Sequence, residues 1–252
     1  MISISKPASI PSVLSGIGQA ENMRNKQSYD SNPLAEIKIK DGIYNHRTVK
    51  KILKEAQHSK CCFCEKVQND EDGTVDHYRP KCGYKSKFKK GEKLKKPGYY
   101  WLCYTWTNLY FVCNVCNRAK ANYFPLTNEN RRAKSHHDDI TLETPYILDP
   151  AGEKDPRAHI SFDYQFIRGT SNFGQQTIEI CTLDRAALDE ERRELIDIIK
   201  TYIDILELPL NDIVTPEIIQ AVRRFLIDCQ KPSAKFSATA IDYIRRRNIQ
   251  VV

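Results

Sequence analysis

Cys61-Cys62-Phe63-Cys64 and Cys113-Asn114-Val115-Cys116 form two C-x-x-C pairs with 48 residues between them. A two-residue gap lets one tight turn present two thiolates to one ion, and zinc takes four such ligands in a tetrahedron. The two pairs therefore predict one shared zinc. Four thiolates leave no open position, so its role is structural rather than catalytic. Cys62 competes with Cys61, but only Cys61 has the two-residue gap to Cys64. A redox pair is the other reading of C-x-x-C, and no thioredoxin-like strand–helix–strand pattern surrounds either pair. Five further cysteines are scattered: Cys62, Cys82, Cys103, Cys181 and Cys229. An odd total of nine, with no secretory signal at the start, argues against a disulfide framework and for a reducing, cytoplasmic setting.

Between the pairs lies Val75-Asp76-His77-Tyr78-Arg79-Pro80, and the second pair sits in Asn108-Leu109-Tyr110-Phe111-Val112-Cys113-Asn114-Val115-Cys116-Asn117-Arg118-Ala119-Lys120. Asp-His, then Asn-Leu-x-x-x-Cys-x-x-Cys-Asn-x-x-Lys, resembles the zinc-containing HNH endonucleases with their ββα-metal core. The match covers residues 58–125. The resemblance implies phosphodiester hydrolysis with His77 as general base, a role that suits a neutral imidazole at pH 7. It also implies Asp76 and Asn117 as ligands of Mg²⁺ or Mn²⁺, whose preference is for hard oxygen donors. Such an ion would hold the leaving oxygen as a Lewis acid. Asn108 matches the family Asn that supports the His-bearing loop through backbone hydrogen bonds. Arg79, Lys81, Arg118 and Lys120 are expected to hold phosphate oxygens.

A longer pattern narrows the resemblance. Asp76-His77-Tyr78-Arg79-Pro80-Lys81, Tyr100-Trp101-Leu102, Trp106-x-Asn108-Leu109, Phe124-Pro125-Leu126 and Leu148-Asp149-Pro150 occur in this order. Over residues 58–195 they resemble the HNH nucleases of Septu-type and retron-associated anti-phage systems. That resemblance implies an ABC/SMC-like ATPase partner and, in some systems, a reverse transcriptase with its RNA–DNA hybrid. DNA is the expected target, with an RNA such as tRNA as the variant in the retron setting. The competing reading is a non-catalytic zinc module that only binds nucleic acid or serves as a scaffold. Asp76 beside His77 argues against it, because a binder has no need of a base next to a hard ligand.

The elements around these residues read as α+β: a small ββα-metal core with its four-cysteine zinc site, then a mainly helical region. Val49, Ile52, Leu53 and Ala56 recur at helical spacing and predict a helix over 48–58 that leads to the first cysteine pair. Residues 74–78 read as a strand. The segment 81–98, with eight Lys against one Glu, reads as a solvated loop. The aromatic run 99–106 reads as packing. Residues 146–150, 160–164 and 177–180 look β-like. Thr182 is expected to cap a helix running to 206, and Thr215-Pro216-Glu217 starts another. A last helix is expected over 237–247. The predicted organisation is an N-terminal arm over 1–30, the HNH domain over 31–130, and a helical, partner-docking region over 131–252. His136, His137 and His159 lie outside the motif and read as surface residues.

The chain has 252 residues, 40% hydrophobic and 28% charged, which suits a folded protein with a real core. No apolar run of about 18 residues occurs, which excludes a helical membrane span. The net charge of +7 is uneven. Residues 76–134 hold 14 Lys or Arg against three acids, a local +11, so the remainder carries −4. That concentration of positive charge is what a phosphate-rich partner requires.

Overall fold

The computed structural model describes residues 1–34, 36–69, 73–209 and 214–249. After a one-turn π-helix at Leu14–Gly18 the order is α1 (Gln19–Ser31), α2 (Asp41–Tyr44), α3 (Arg47–Ala56), β1 (Thr74–His77), β2 (Leu109–Val112) and α4 (Asn114–Lys120). Then come α5 (Pro156–His159), β3 (Ile160–Asp163), β4 (Phe166–Gly169), α6 (Asn172–Cys181), α7 (Ala186–Leu206), α8 (Pro216–Asp228) and α9 (Ser237–Arg246). The described residues thus form a mixed α+β structure with two small antiparallel sheets, β1–β2 and β3–β4.

α3 begins where His46 accepts from the Thr48 amide, and its Val49 and Leu53 have no exposed surface. They pack with Val75, Leu109 and Phe111 against the β1–β2 sheet. In that sheet Asp76 lies opposite Tyr110 and His77 opposite Leu109. All four β2 residues are buried, because one face meets α3 and the other the zinc-side core. The aromatic run fills both cores, with Tyr99, Tyr100 and Trp101 on the zinc side and Tyr104 and Trp106 on the α3 side.

The Lys-rich excursion is closed at its base. Tyr84 and Lys95 exchange backbone hydrogen bonds of 2.9 Å, and the Tyr99 amide donates to the Pro80 carbonyl at 2.9 Å. Gly98 is required there: a Cβ on it would stand 2.3 Å from the Gly83 nitrogen. Lys87, Lys89, Lys90 and Lys93 are exposed beyond this base.

Four expectations are corrected. Residues 146–150 are bends and a turn, not a strand. Residues 1–30, expected as an N-terminal arm, lie fastened along the rest of the chain. The Met1 amine pairs with buried Glu65 at 2.8 Å. Lys6 donates to the carbonyls of Trp106, Thr107 and Leu109 at 2.9–3.0 Å. α1 packs on the aromatic run, with Tyr29 stacked on Tyr100. Residues 177–180 are helical, inside α6. Ser171 caps that helix by accepting from the Gly174 amide, and Gly174 lies against the His159 carbonyl with no room for a Cβ. Thr177-Ile-Glu-Ile alternates like a strand, but the cap and this close packing decide otherwise. Thr182 does not start α7. It closes α6 in the left-handed region at φ 48°, and Arg185 precedes α7.

Among the described residues, no helix is long and apolar enough to cross a membrane.

Candidate active site and metal centre

The four cysteines converge. Cys61, Cys64, Cys113 and Cys116 are all buried, and their sulfurs lie within 4.8 Å of one another. Cys64 Sγ and Cys113 Sγ are 3.9 Å apart. Donors about 2.3 Å from a tetrahedral zinc stand about 3.8 Å from each other, so the donor set and its spacing fit that ion. The Cys116 amide donates to Cys113 Sγ at 3.4 Å, as the first turn of α4 wraps the knuckle. Hydrogen bonds from Cys116, Cys61 and Cys64 push the Cys113 thiol well down. Cys62 stays outside the cluster, with its thiol pushed up by burial.

One feature of this centre carried no sequence signal. Arg185, from the far side of the chain, donates to Cys116 Sγ at 3.5 Å and to the Thr182 carbonyl at 2.9 Å. A guanidinium beside the thiolates offsets the excess negative charge of a four-cysteine zinc. It also ties the start of α7 to the metal centre.

His77 ends β1 and is 4% exposed. Its Nε2 lies 2.9 Å from the Cys103 carbonyl oxygen. A carbonyl only accepts, so Nε2 carries the proton and Nδ1 keeps a free lone pair. Burial, then the Lys81 charge, lowers the His77 pKa to about 4, so the ring is neutral at pH 7. The Tyr44 ring stands edge-on to the imidazole at 4.5 Å between centroids, and α2 thereby covers it.

Asp76, the residue before His77 on β1, faces α4. Lys120 donates to Asp76 Oδ2 at 3.0 Å and to the His77 carbonyl at 2.7 Å. Lys120 has no exposed surface. Asn117 is half-buried, three residues earlier on α4 and so on the same helical face as Lys120. α4 packs on β1, the strand that carries Asp76.

Asn108 clamps the turn after His77. Its Oδ1 accepts from the Arg79 amide at 2.8 Å, and its Nδ2 donates to the Arg79 and Leu102 carbonyls at 3.2 Å each. Its own carbonyl accepts from the Tyr78 amide at 2.8 Å.

The basic residues divide. Lys120 is corrected from a phosphate contact to a buried partner of Asp76. Arg79 is ion-paired at 3.1 Å with Glu143, a carboxylate with no side-chain exposure. Lys81 bonds to the Tyr44 hydroxyl and lies 3.4 Å from Asp41. Arg118 is exposed on α4. Glu143, Tyr44 and Cys103 were missed because each acts through a contact distant in sequence, in one case through a backbone carbonyl.

With this geometry in place, the chain is similar to Septu proteins. It is 36% identical over 158 residues to Septu protein PtuB of Bacillus mycoides, across 60% of this chain and 52% of that protein. It is 26% identical over 148 residues to Septu protein PtuA of the same organism, across 58% of this chain and 20% of that protein. The chain thus spans about half of one relative and a fifth of the other. No family model matches the sequence, and no solved structure matches it.

Proposed function

We propose that this chain is a metal-dependent HNH-type nuclease of a Septu-like anti-phage system, cleaving phosphodiester bonds with His77 as general base. The observation that carries this reading is the His77 environment. The Cys103 carbonyl fixes the Nε2–H tautomer and leaves Nδ1 as the acceptor a base uses, while burial holds the ring's pKa at about 4, so the imidazole gains its full basicity only once it is exposed. The order β1, β2, α4 supports the ββα core, with the four cysteines bracing the β2–α4 junction.

Asp76 and Asn117 offer hard oxygen donors that fit Mg²⁺ or Mn²⁺, with Lys120 leaving Asp76 Oδ1 for that purpose. Such an ion, when bound, supplies charge stabilisation at the leaving oxygen. His77 takes the proton of the attacking water at Nδ1 and keeps its Nε2–H on Cys103. Asn108 holds the turn that aims the ring. Arg118, exposed on α4, is the proposed phosphate contact.

His77 is covered by Tyr44, so attack requires α2 to move. This closed state fits control by a partner, here proposed as an ABC/SMC-like ATPase. The retron reverse transcriptase and the choice between DNA and RNA rest on the resemblance alone. The burial of His77, together with the internal pairing of Arg79, Lys81 and Lys120, also favours a second reading, that of a scaffold with an HNH-like core.

One experiment separates the two. Plasmid and total RNA are incubated with Mg²⁺ or Mn²⁺ and wild type or His77→Ala, each with and without the partner. Cleavage by wild type and its loss in His77→Ala is the expected result. Identical behaviour of the two proteins in every condition would sink the catalytic reading.

A further inference from the structure

Outside that site, the described residues hold one more convergent set of metal-ligating side chains, Asp30, His136 and His137. Asp30 is at the C-terminal end of α1, and the histidines lie 106 and 107 residues further on. Asp30 Oδ1 is 2.7 Å from His137 Nε2, and Oδ2 is 3.4 Å from His136 Nε2. The donor atoms lie within 4.8 Å of one another. Neighbouring donors on a tetrahedral zinc with bonds of about 2.05 Å stand about 3.3 Å apart, so the set needs little movement to close on an ion.

Two features distinguish this set from a chance ion pair. The first is orientation. Nδ1 of His136 lies 2.7 Å from the Tyr100 hydroxyl, and Tyr100 is 1% exposed. A ligating imidazole typically has its other nitrogen held by a fixed partner, which sets the tautomer and the ring direction. Tyr100 in turn stacks on Tyr29 of α1 at 4.9 Å, next to Asp30. One buried tyrosine therefore anchors both ligand-bearing elements.

The second is preorganisation. Asp138 accepts from the Lys134 and Ser135 amides at 2.8 and 2.9 Å and from the Ser135 hydroxyl at 3.2 Å. The His137 amide donates to Ser135 Oγ at 3.3 Å. The turn is thus formed before any ion arrives, and the ordering cost is low. His137 and Asp30 keep 65% and 46% of their side-chain exposure, so an ion can enter and retain water on its open side.

We propose that Asp30, His136 and His137 form a second metal site, for an exchangeable first-row divalent ion of the zinc class, which clasps α1 to the 132–138 turn. Two imidazoles and one carboxylate suit Zn²⁺, Co²⁺ or Ni²⁺ better than Mg²⁺. With Nε2 of His136 on the ion, its Nδ1–H donates to the Tyr100 oxygen. The site differs from the cysteine centre in being open, wet and exchangeable.

The full chain is equilibrated with Zn²⁺, and bound metal is counted by native mass spectrometry. The His136→Ala/His137→Ala double variant and Asp30→Asn should each hold one equivalent fewer than wild type, whereas Asp76→Asn should keep this equivalent. Tyr100→Phe should keep it with affinity lowered about 10–100-fold. Hydrogen exchange provides a second readout: Zn²⁺ should slow exchange in α1 of wild type and not of the double variant. Equal metal content in wild type and the double variant, or no zinc-dependent protection of α1, overturns the proposal. Neither readout uses cleavage, so the result is independent of the nuclease reading.

Discussion

Lys120 and Asp76 show how a charged residue in a motif can act inward. The buried ammonium bridges Asp76 and the His77 carbonyl and so fixes the end of β1 against α4. Lys120→Gln should destabilise the fold by about 2 kcal/mol, below the roughly 3–5 kcal/mol of a wholly buried broken pair, because Asp76 keeps 15% of its side-chain exposure. Denaturant midpoints would measure it. A change within about 0.5 kcal/mol, the range of ordinary surface substitutions, would mean that Lys120 is a surface residue after all. Lys6 makes a pH-dependent prediction. Burial lowers its pKa from 10.5 to about 8, so between those values the unfolded chain binds more protons than the folded one. Stability attributable to Lys6 should therefore rise with pH from about 8 to 10.5. The difference between wild type and Lys6→Met across that window is the measurement, and a flat difference would contradict the buried placement.

At the scale of elements, the four-cysteine cluster joins pieces that are distant in sequence. β2, α4 and the first knuckle meet at the four cysteines, and Arg185 brings in the start of α7. Cys113→Ser should lose zinc and lower the unfolding temperature sharply, because metal binding is folding energy in such a module. Arg185→Ala should keep the fold but weaken zinc about 10–100-fold, the usual cost of losing a residue that supports the ligands. Competition with a chelator would read both. On the proposed nuclease reading, a brief EDTA treatment should stop cleavage while zinc remains bound. Cys113→Ser recovered folded and zinc-loaded would overturn the structural role.

At the scale of the whole molecule, the net +7 is displayed unevenly. Arg79, Lys81, Arg132 and Lys120 are engaged internally, while Lys87, Lys89, Lys90 and Lys93 project from the closed loop. If that loop meets phosphate, changing these four lysines to Glu should flatten the salt dependence of nucleic-acid binding. Each lost phosphate contact lowers the slope by about one. An unchanged slope would mean that the loop stays clear of the substrate.

The two cysteine pairs, the α3 stripe and the helices near 186–206, 216–228 and 237–246 were readable from the sequence. Ligand spacing and apolar period are local properties, fixed by the geometry of a turn or a helix. The placement of Asp76 and His77 on a strand was equally local, whereas the partner strand Leu109–Val112 that follows Asn108 was not read from the sequence. Tertiary structure alone decided the rest. Residues 1–30 have no period because single contacts at Met1, Lys6 and Tyr29 hold them, not a continuous face. Residues 177–180 look like a strand, but a Ser171 cap and the space available only to Gly174 make them helical. Burial chose which cations face solvent. His136 and His137, which read as surface histidines, meet Asp30 only because α1 and Tyr100 bring together residues more than a hundred positions apart.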